Sequence, residues 1–246
     1  MRLLARASAA ALSAATALAL ATACGMLPDD APDATAPYAR LTAPEVVNKA
    51  LAATRAAKSV RMTVETTSPE GPVEAYVATD IRGECTVTLS MGAAGTMELV
   101  RTGGTVHTRS DAAMLRSVSA SQARKLTGLA SQWVRPTTAD RHAKLAERYC
   151  DRETFLDLLA PRSGTARKGR TTAPGSGTPA LAVTGGTADG KWTADIATDG
   201  RPFLLKLRLN PPHPHGASGN DTDHAAPVTV EFSEFDKPFK ANRPKP

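Results

Sequence analysis

Three cysteines are the residues of this 246-residue chain best suited to covalent chemistry. Cys24 ends an uncharged stretch, residues 7–23, that follows two arginines, and this pattern predicts a secretory signal peptide over residues 1–23. Export places Cys85 and Cys150 in an oxidising compartment, where an even pair is expected to form a disulfide. A disulfide between Cys85 and Cys150 would close a loop of 65 residues, which contributes about 4 kcal/mol to the free energy of unfolding. A buried reduced pair and a metal site are the alternatives for these two cysteines.

The residues around Cys24 resemble the lipobox of bacterial lipoproteins. Small residues precede the cysteine and Gly25 follows it, with Ala21 at the position where Leu is usual. The resemblance implies that Cys24 becomes the mature N-terminus and carries a diacylglycerol, which anchors the protein on the extracytoplasmic face of the cell membrane. An ordinary cleaved signal peptide is the alternative. Residues 24–40 then hold the lipidated cysteine and a flexible, Pro- and Asp-rich tether, and residues 41–246 form a single domain.

The other reactive side chains match no catalytic or cofactor motif. GxSxG, SxxK, HExxH and Walker A patterns are absent, so we expect neither an enzyme nor a cofactor. One loop has ligands suited to Zn²⁺ or Cu²⁺: His213, His215, Asp221, Asp223 and His224. Its glycines and prolines favour a solvated insertion, so no metal site is predicted. The net charge of +6 is too small to indicate a nucleic-acid partner.

Two further groups of residues have both an ordinary and a functional interpretation. A basic cluster suits anionic lipid head groups, although a solvated face is the ordinary interpretation. It comprises Arg162, Arg167, Lys168 and Arg170. The two tryptophans, Trp133 and Trp192, have the size to close a cavity, whereas a place in the core is the ordinary expectation.

The elements that must position these residues begin with a helix. Thr42 and Glu45 have the spacing of a capping box, and apolar residues through Leu51 fall on one helical face. Residues 59–109 then alternate apolar and polar side chains, with Gly- or Pro-containing breaks every 10 to 13 residues. This spacing predicts five antiparallel strands.

Residues 111–160 lose that alternation and are predicted to be helical, with one segment from Thr138 to Leu145 and another from Asp151 that stops before Pro161. Cys150 would therefore pin a helix to the third strand. About five strands follow, whose apolar positions include Trp192, Ile196, Phe203, Leu205, Leu207 and Leu209. The absence of βαβ alternation excludes Rossmann and TIM arrangements and favours an α+β fold.

This order of elements, the lipobox and two motifs resemble the LppX/LprG-like lipoproteins of actinobacteria. The motifs are Asp199-Gly200-Arg201-Pro202 and the segment from Phe232 to Pro238. The resemblance covers about residues 42–240 and implies a LolA/LolB-like fold, in which helices cover a strongly curved antiparallel half-barrel of about ten strands. It further implies a cavity that holds acyl chains of lipids or lipoproteins, and no catalytic residues.

Composition supports a loosely filled interior. Leu, Val, Ile and Phe together number 43 of 246 residues, which is a small stock for filling the space under a curved sheet. A solid core of Ala and Met is the alternative. The residues predicted to line the cavity are Met62, Val64, Val77, Val87, Leu89, Met97, Leu99, Trp192, Ile196, Leu205 and Leu207.

Two functions of different class are compatible with the sequence. The first is a non-catalytic, lipid-anchored protein that binds or carries a lipid or lipoprotein ligand. The second is an envelope sensor or protein-interaction module with the same fold and no cavity ligand. The sequence identifies no protein partner, and retention of a lipid through aqueous purification would distinguish the two.

Overall fold

The structure is a computed structural model that describes residues 38–69, 71–117, 127–136, 141–173, 177–187, 190–211 and 226–244. Cys24, the remainder of residues 1–37, Thr138 and the His- and Asp-rich loop lie outside this part of the chain. Within it, no helix combines the length and apolar character needed to cross a membrane.

Ten strands of the described chain form one antiparallel sheet, which agrees with the predicted five strands followed by about five more. They are β1 (Ser59–Ser68), β2 (Gly71–Asp80), β3 (Cys85–Ser90), β4 (Thr96–Thr102), β5 (Thr105–Ser110), β6 (Arg167–Thr172), β7 (Ala180–Thr187), β8 (Gly190–Ala197), β9 (Leu204–Asn210) and β10 (Val228–Ser233). Their order across the sheet is β5-β4-β3-β2-β1-β10-β9-β8-β7-β6. Each half is a meander of five strands, and the halves join where β1 pairs with β10.

The register explains why one face of the sheet is apolar. Met62 on β1 pairs with Val77 on β2 and with Phe232 on β10, so three apolar side chains lie side by side. Their neighbours Arg61 and Thr63 point to the opposite face, because successive side chains in a strand alternate. The sheet is curved and does not close, which confirms the predicted α+β half-barrel.

Four helices are described: α1 (Ala43–Arg55), α2 (Ala112–Ser117), α3 (Arg141–Tyr149) and α4 (Glu153–Leu159). The predicted capping box of α1 is present. The Thr42 amide donates to the Glu45 carboxylate at 2.6 Å, and the Glu45 amide donates to Thr42 Oγ1 at 3.4 Å. The Thr42 backbone bond lowers the pKa of Glu45. Helix α4 begins at Glu153, two residues after Asp151, where the sequence predicted its start. The Asp151 carboxylate accepts a hydrogen bond from the Glu153 amide at 3.0 Å.

The helices cover the apolar face of the sheet. Helix α1 packs on β8 and β9, whereas α3 packs on β3 and β4. Their buried side chains and those of the strands form a single apolar cluster, which we call the interior layer. Its members on the helices are Ala43, Val46, Val47, Ala50, Leu51, Met114, Ala146, Tyr149, Phe155, Leu156 and Leu159.

Strand β9 departs from the predicted alternation. Ile196 pairs with Leu204 but Asp195 pairs with Lys206, so Leu205 is an extra residue in a bulge. Because of the bulge, the buried residues of β9 are Leu204 and Leu207.

The C-terminal segment, residues 234–244, runs along the strand ends and the outer face. Asp236 accepts from the Lys58 amide at 2.6 Å, and the Ala241 amide donates to Glu84 at 3.1 Å. Phe235 stacks on Phe203 with ring centroids 4.0 Å apart. These contacts attach the end of the chain to both halves of the sheet.

Candidate functional site

The interior layer contains ten of the eleven residues predicted to line a cavity. Leu205 is half-buried and lies outside the layer, because of the β9 bulge. The ten buried residues are Met62, Val64, Val77, Val87, Leu89, Met97, Leu99, Trp192, Ile196 and Leu207, each at most 3% exposed. The sequence therefore predicted which side chains the sheet brings together under the helices.

Small residues let the helices approach the sheet closely. Ala50 on α1 and Ala146 on α3 are fully buried, as are Ala75 on β2 and Ala194 on β8. An alanine at the contact allows backbone elements to come together without a long side chain between them. The interior layer is consequently closed and packed in the structure, as the solid-core alternative expects.

Trp192 on β8 has the largest side chain of the interior layer and is 1% exposed. Among the described residues its indole Nε1–H has no hydrogen-bond partner, so the donor is buried there without an acceptor. Burying an unpaired donor costs about 1–3 kcal/mol, and buried tryptophans usually find a partner.

Gly185 explains how the indole fits against the sheet. Gly185 on β7 pairs directly with Trp192, and a Cβ atom at Gly185 would lie 2.4 Å from Cζ2 and 2.7 Å from Nε1 of the indole. The ring therefore lies over the glycine, in space that any other residue would fill. Sequence analysis placed Trp192 in the core but had no signal for the unpaired N–H.

The second buried atom without a partner lies elsewhere. Nδ1 of His107, on β5, has no hydrogen bond, and His107 pairs with Val100 on the outer face of the sheet. Trp133 is half-buried beside the same edge, where the Arg109 guanidinium lies 4.8 Å from its ring centroid. Neither residue borders the interior layer, so Trp192 is the tryptophan that concerns the site.

Cys85 and Cys150 form the predicted disulfide, with Cα atoms 5.7 Å apart. It joins β3 to the residue that follows α3, and Thr79 reinforces the junction by donating to the Cys150 carbonyl at 3.1 Å. Cys85 pairs with Thr79 on β2, which lies level with the start of β1. Trp192 pairs with Leu209 on β9, and Leu209 pairs with Val228 on β10, which lies level with the end of β1. The disulfide thus fixes α3 at the end of the sheet opposite Trp192.

Arg152 stabilises the same end of the molecule. Its guanidinium is 7% exposed and donates to the carbonyls of Thr54 and Ala57, at 3.2 and 2.7 Å, where α1 ends. Burial lowers the pKa of Arg152 below its usual value. No sequence pattern marks this residue, because a single arginine two positions after a cysteine is not distinctive.

An open cleft of about 430 Å³ lies next to the disulfide. Its charged lining consists of three arginines and three carboxylates: Arg55, Arg101, Arg152, Asp80, Asp151 and Glu153. Several of them already pair with each other or with neighbours, as Arg55 does with Glu153 at 2.6 Å. The charges balance, and the cleft's cysteine is held in the disulfide, so the cleft offers neither an ion site nor a nucleophile.

The described part of the chain also holds no group of three His, Cys, Asp or Glu residues arranged to bind a metal ion. The loop residues from His213 to His224 lie outside it. The candidate site is therefore the interior layer around Trp192.

Comparison with known proteins gives structural neighbours alone. No protein-family model and no curated protein matches the chain. The chain is similar to the crystal structure of LprF from Mycobacterium bovis, with 15% identity and a TM-score of 0.49, over 82% of this chain and 96% of that one. It is also similar to lipoprotein LppX from Mycobacterium tuberculosis, with 12% identity and a TM-score of 0.46, over 81% and 97%.

A third similarity is to the Pseudomonas aeruginosa MucA/MucB complex, with 12% identity and a TM-score of 0.33, over 78% of this chain and 56% of that one. LppX is one of the lipoproteins that the sequence motifs resemble, and at these identities the similarity concerns the fold alone. The functional conclusions below rest on the chain's own geometry, since every one of these identities is 15% or lower.

Proposed function

We propose that this protein is a non-catalytic, lipid-anchored envelope protein that binds acyl chains of lipids or lipoproteins between its sheet and its helices. The observation that carries the proposal is the unpaired indole N–H of Trp192 inside the interior layer. A lipid acyl group supplies the carbonyl oxygen that this donor lacks, and its apolar chain suits the apolar side chains that become accessible when the helices move away from the sheet.

The energetics favour such a ligand over an isolated polar one. Each methylene that leaves water contributes about 0.8 kcal/mol, so a chain of ten buried carbons supplies a substantial driving force. The carbonyl adds the hydrogen bond and removes the cost of the unpaired donor. Since Trp192 is 1% exposed, binding requires the helices to move away from the sheet. The movement is expected at the Trp192 end, because the disulfide fixes the other end.

The two tryptophans provide a direct test. A fatty acid brominated in mid-chain quenches tryptophan fluorescence only by contact. We expect it to quench Trp192 in the Trp133→Phe protein and to leave Trp133 unquenched in the Trp192→Phe protein. The unbrominated fatty acid is the control. Equal quenching of both tryptophans, or quenching of neither, would contradict binding in the interior layer.

Anchoring through Cys24 is the second part of the proposal, and the lipobox-like sequence of residues 20–25 supports it. Cys24→Ala removes the thiol that would carry the diacylglycerol, so the protein should leave the membrane fraction and appear in the medium. Cys85→Ser is the matched control, because it also removes a cysteine and should keep the protein on the membrane. Equal retention of both variants would refute the anchor.

A further inference from the structure

Strand β6 differs from every other strand in having all six residues exposed. It forms one edge of the sheet, where β7 is its sole strand neighbour. It carries Arg167, Lys168 and Arg170 and no acidic residue. Among the described residues, neither Arg167 nor Arg170 forms an ion pair, so both charges face solvent. A strand that buries no residue contributes little to the core, so packing does not set its composition.

The described chain begins beside this strand. Lys168 Nζ donates to the carbonyl of Tyr38 at 2.6 Å, and the Tyr38 hydroxyl bonds the carbonyl of Ala197 on β8. The tether would join Cys24 to Tyr38 through the thirteen residues 25–37, which can span at most about 50 Å. The tether of an anchored protein would therefore enter the domain at the β6 edge.

We infer that β6 is a docking surface for anionic membrane lipids, which holds the domain against the membrane that anchors it. The exposed cations of β6, at the point where the tether enters, would face negatively charged head groups. The positive charge of the strand is complementary to the negative charge of those lipids. Glu45 is the acidic residue near Lys168, but its carboxylate is already bound by the Thr42 backbone and side chain. The inference extends the proposed anchor but requires neither the lipid on Cys24 nor a ligand in the interior layer.

The expected effect is large enough to measure. Each basic residue close to an anionic membrane strengthens binding about fivefold, so three residues strengthen it roughly a hundredfold. The effect should weaken steeply with salt, because charges interact over about 8 Å at physiological ionic strength. A lipid anchor combined with a basic patch is the combination that gives stable membrane attachment.

The test uses the chain from Gly25 onwards, which lacks the lipid and retains every contact described above. Its binding to vesicles is measured by sedimentation, with 30% phosphatidylglycerol in phosphatidylcholine or with phosphatidylcholine alone. The test variant replaces the three β6 cations with Gln. The matched control replaces Lys237, Lys240 and Arg243 with Gln, which removes the same charge from exposed positions of the C-terminal segment.

We expect the wild-type chain and the control to bind the anionic vesicles and not to bind the neutral ones. The β6 variant should bind roughly a hundredfold more weakly, with a melting temperature close to the wild-type value, because its substitutions are on exposed residues and, among the described residues, remove only the Lys168 hydrogen bonds to Tyr38 and Ala39. Three outcomes would overturn the inference: wild-type binding no stronger to anionic than to neutral vesicles, equal binding by the β6 variant, or an equal loss in the control. Ligand binding by Trp192 is measured separately, so the two proposals fail independently.

Discussion

Gly185→Ala tests the position of the buried indole. The new methyl group would lie 2.4 Å from Cζ2 and 2.5 Å from Cε2 of Trp192, about 1 Å closer than ordinary contact. The indole is 1% exposed, so the ring has no free space to move into. Overpacking of this kind costs about 1–3 kcal/mol. For a domain of this size, that lowers the melting temperature by about 3–10 °C.

Gly186→Ala is the matched control in the same strand. A Cβ atom there would lie 3.8 Å from the Gly190 carbonyl oxygen and 3.9 Å from Lys191 Cγ, which is ordinary contact. Both substitutions restrict the unfolded chain alike and should stabilise by about 0.4–1 kcal/mol where the methyl group fits. The difference between the two variants therefore isolates the collision with Trp192.

The assay is thermal unfolding of both variants in the Trp133→Phe background, followed by the fluorescence of Trp192. Gly185→Ala should melt below the parent protein and shift the native emission to the red, as the ring is displaced towards solvent. Gly186→Ala should melt at or above the parent and keep its emission. Equal stability and equal emission of the two variants would show that the indole does not lie over Gly185, and the reasoning about its unpaired N–H would fail.

Three other substitutions test the rest of the structure. Cys150→Ser should lower the free energy of unfolding by about 4 kcal/mol in denaturant titration, because the 65-residue loop opens; stability equal to that of the oxidised parent would count against the bridge. Arg152→Ala removes the donor of the Ala57 carbonyl, whereas the Thr54 carbonyl keeps its bond from the Ala57 amide, so the change should cost about 1–3 kcal/mol; the exposed Arg148→Ala should cost little. Burial raises the pKa of Asp195, so the native state favours its protonated form and loses stability as the pH rises through that pKa. Asp195→Asn should therefore raise the melting temperature at pH 7 by an amount that shrinks on acidification. A gain that grows on acidification would contradict a raised pKa of Asp195.

The sequence predicted those features that depend on local spacing. The Thr42 cap, the alternation along β1 to β4 and the pairing of Cys85 with Cys150 each follow from residue type and short-range order, and the structure contains all three. The order of helices and strands also favoured an α+β fold, because antiparallel meanders need only short connections, whereas the half-barrel was implied by the resemblance to the LppX/LprG-like lipoproteins.

Features that depend on tertiary contacts were not predictable. Leu205 was placed on the apolar face because strict alternation cannot reveal a bulge, whose extra residue changes the parity of the strand. Strand β6 contains no buried residue, so hydrophobic periodicity gave it no signal of its own. The unpaired N–H of Trp192 depends on which atoms surround a buried ring, and neither residue type nor spacing specifies that.

Native mass spectrometry with lipid extraction tests the central claim most directly. The chain from Gly25 onwards would be exported from an actinobacterial host and purified without detergent. We expect an added mass in the range of a lipid, and extraction should return a species with an acyl carbonyl. A protein mass without addition, two hydrogens below the fully reduced value, would retain the disulfide and contradict acyl binding. That result would favour an envelope sensor or protein-interaction module on the same fold.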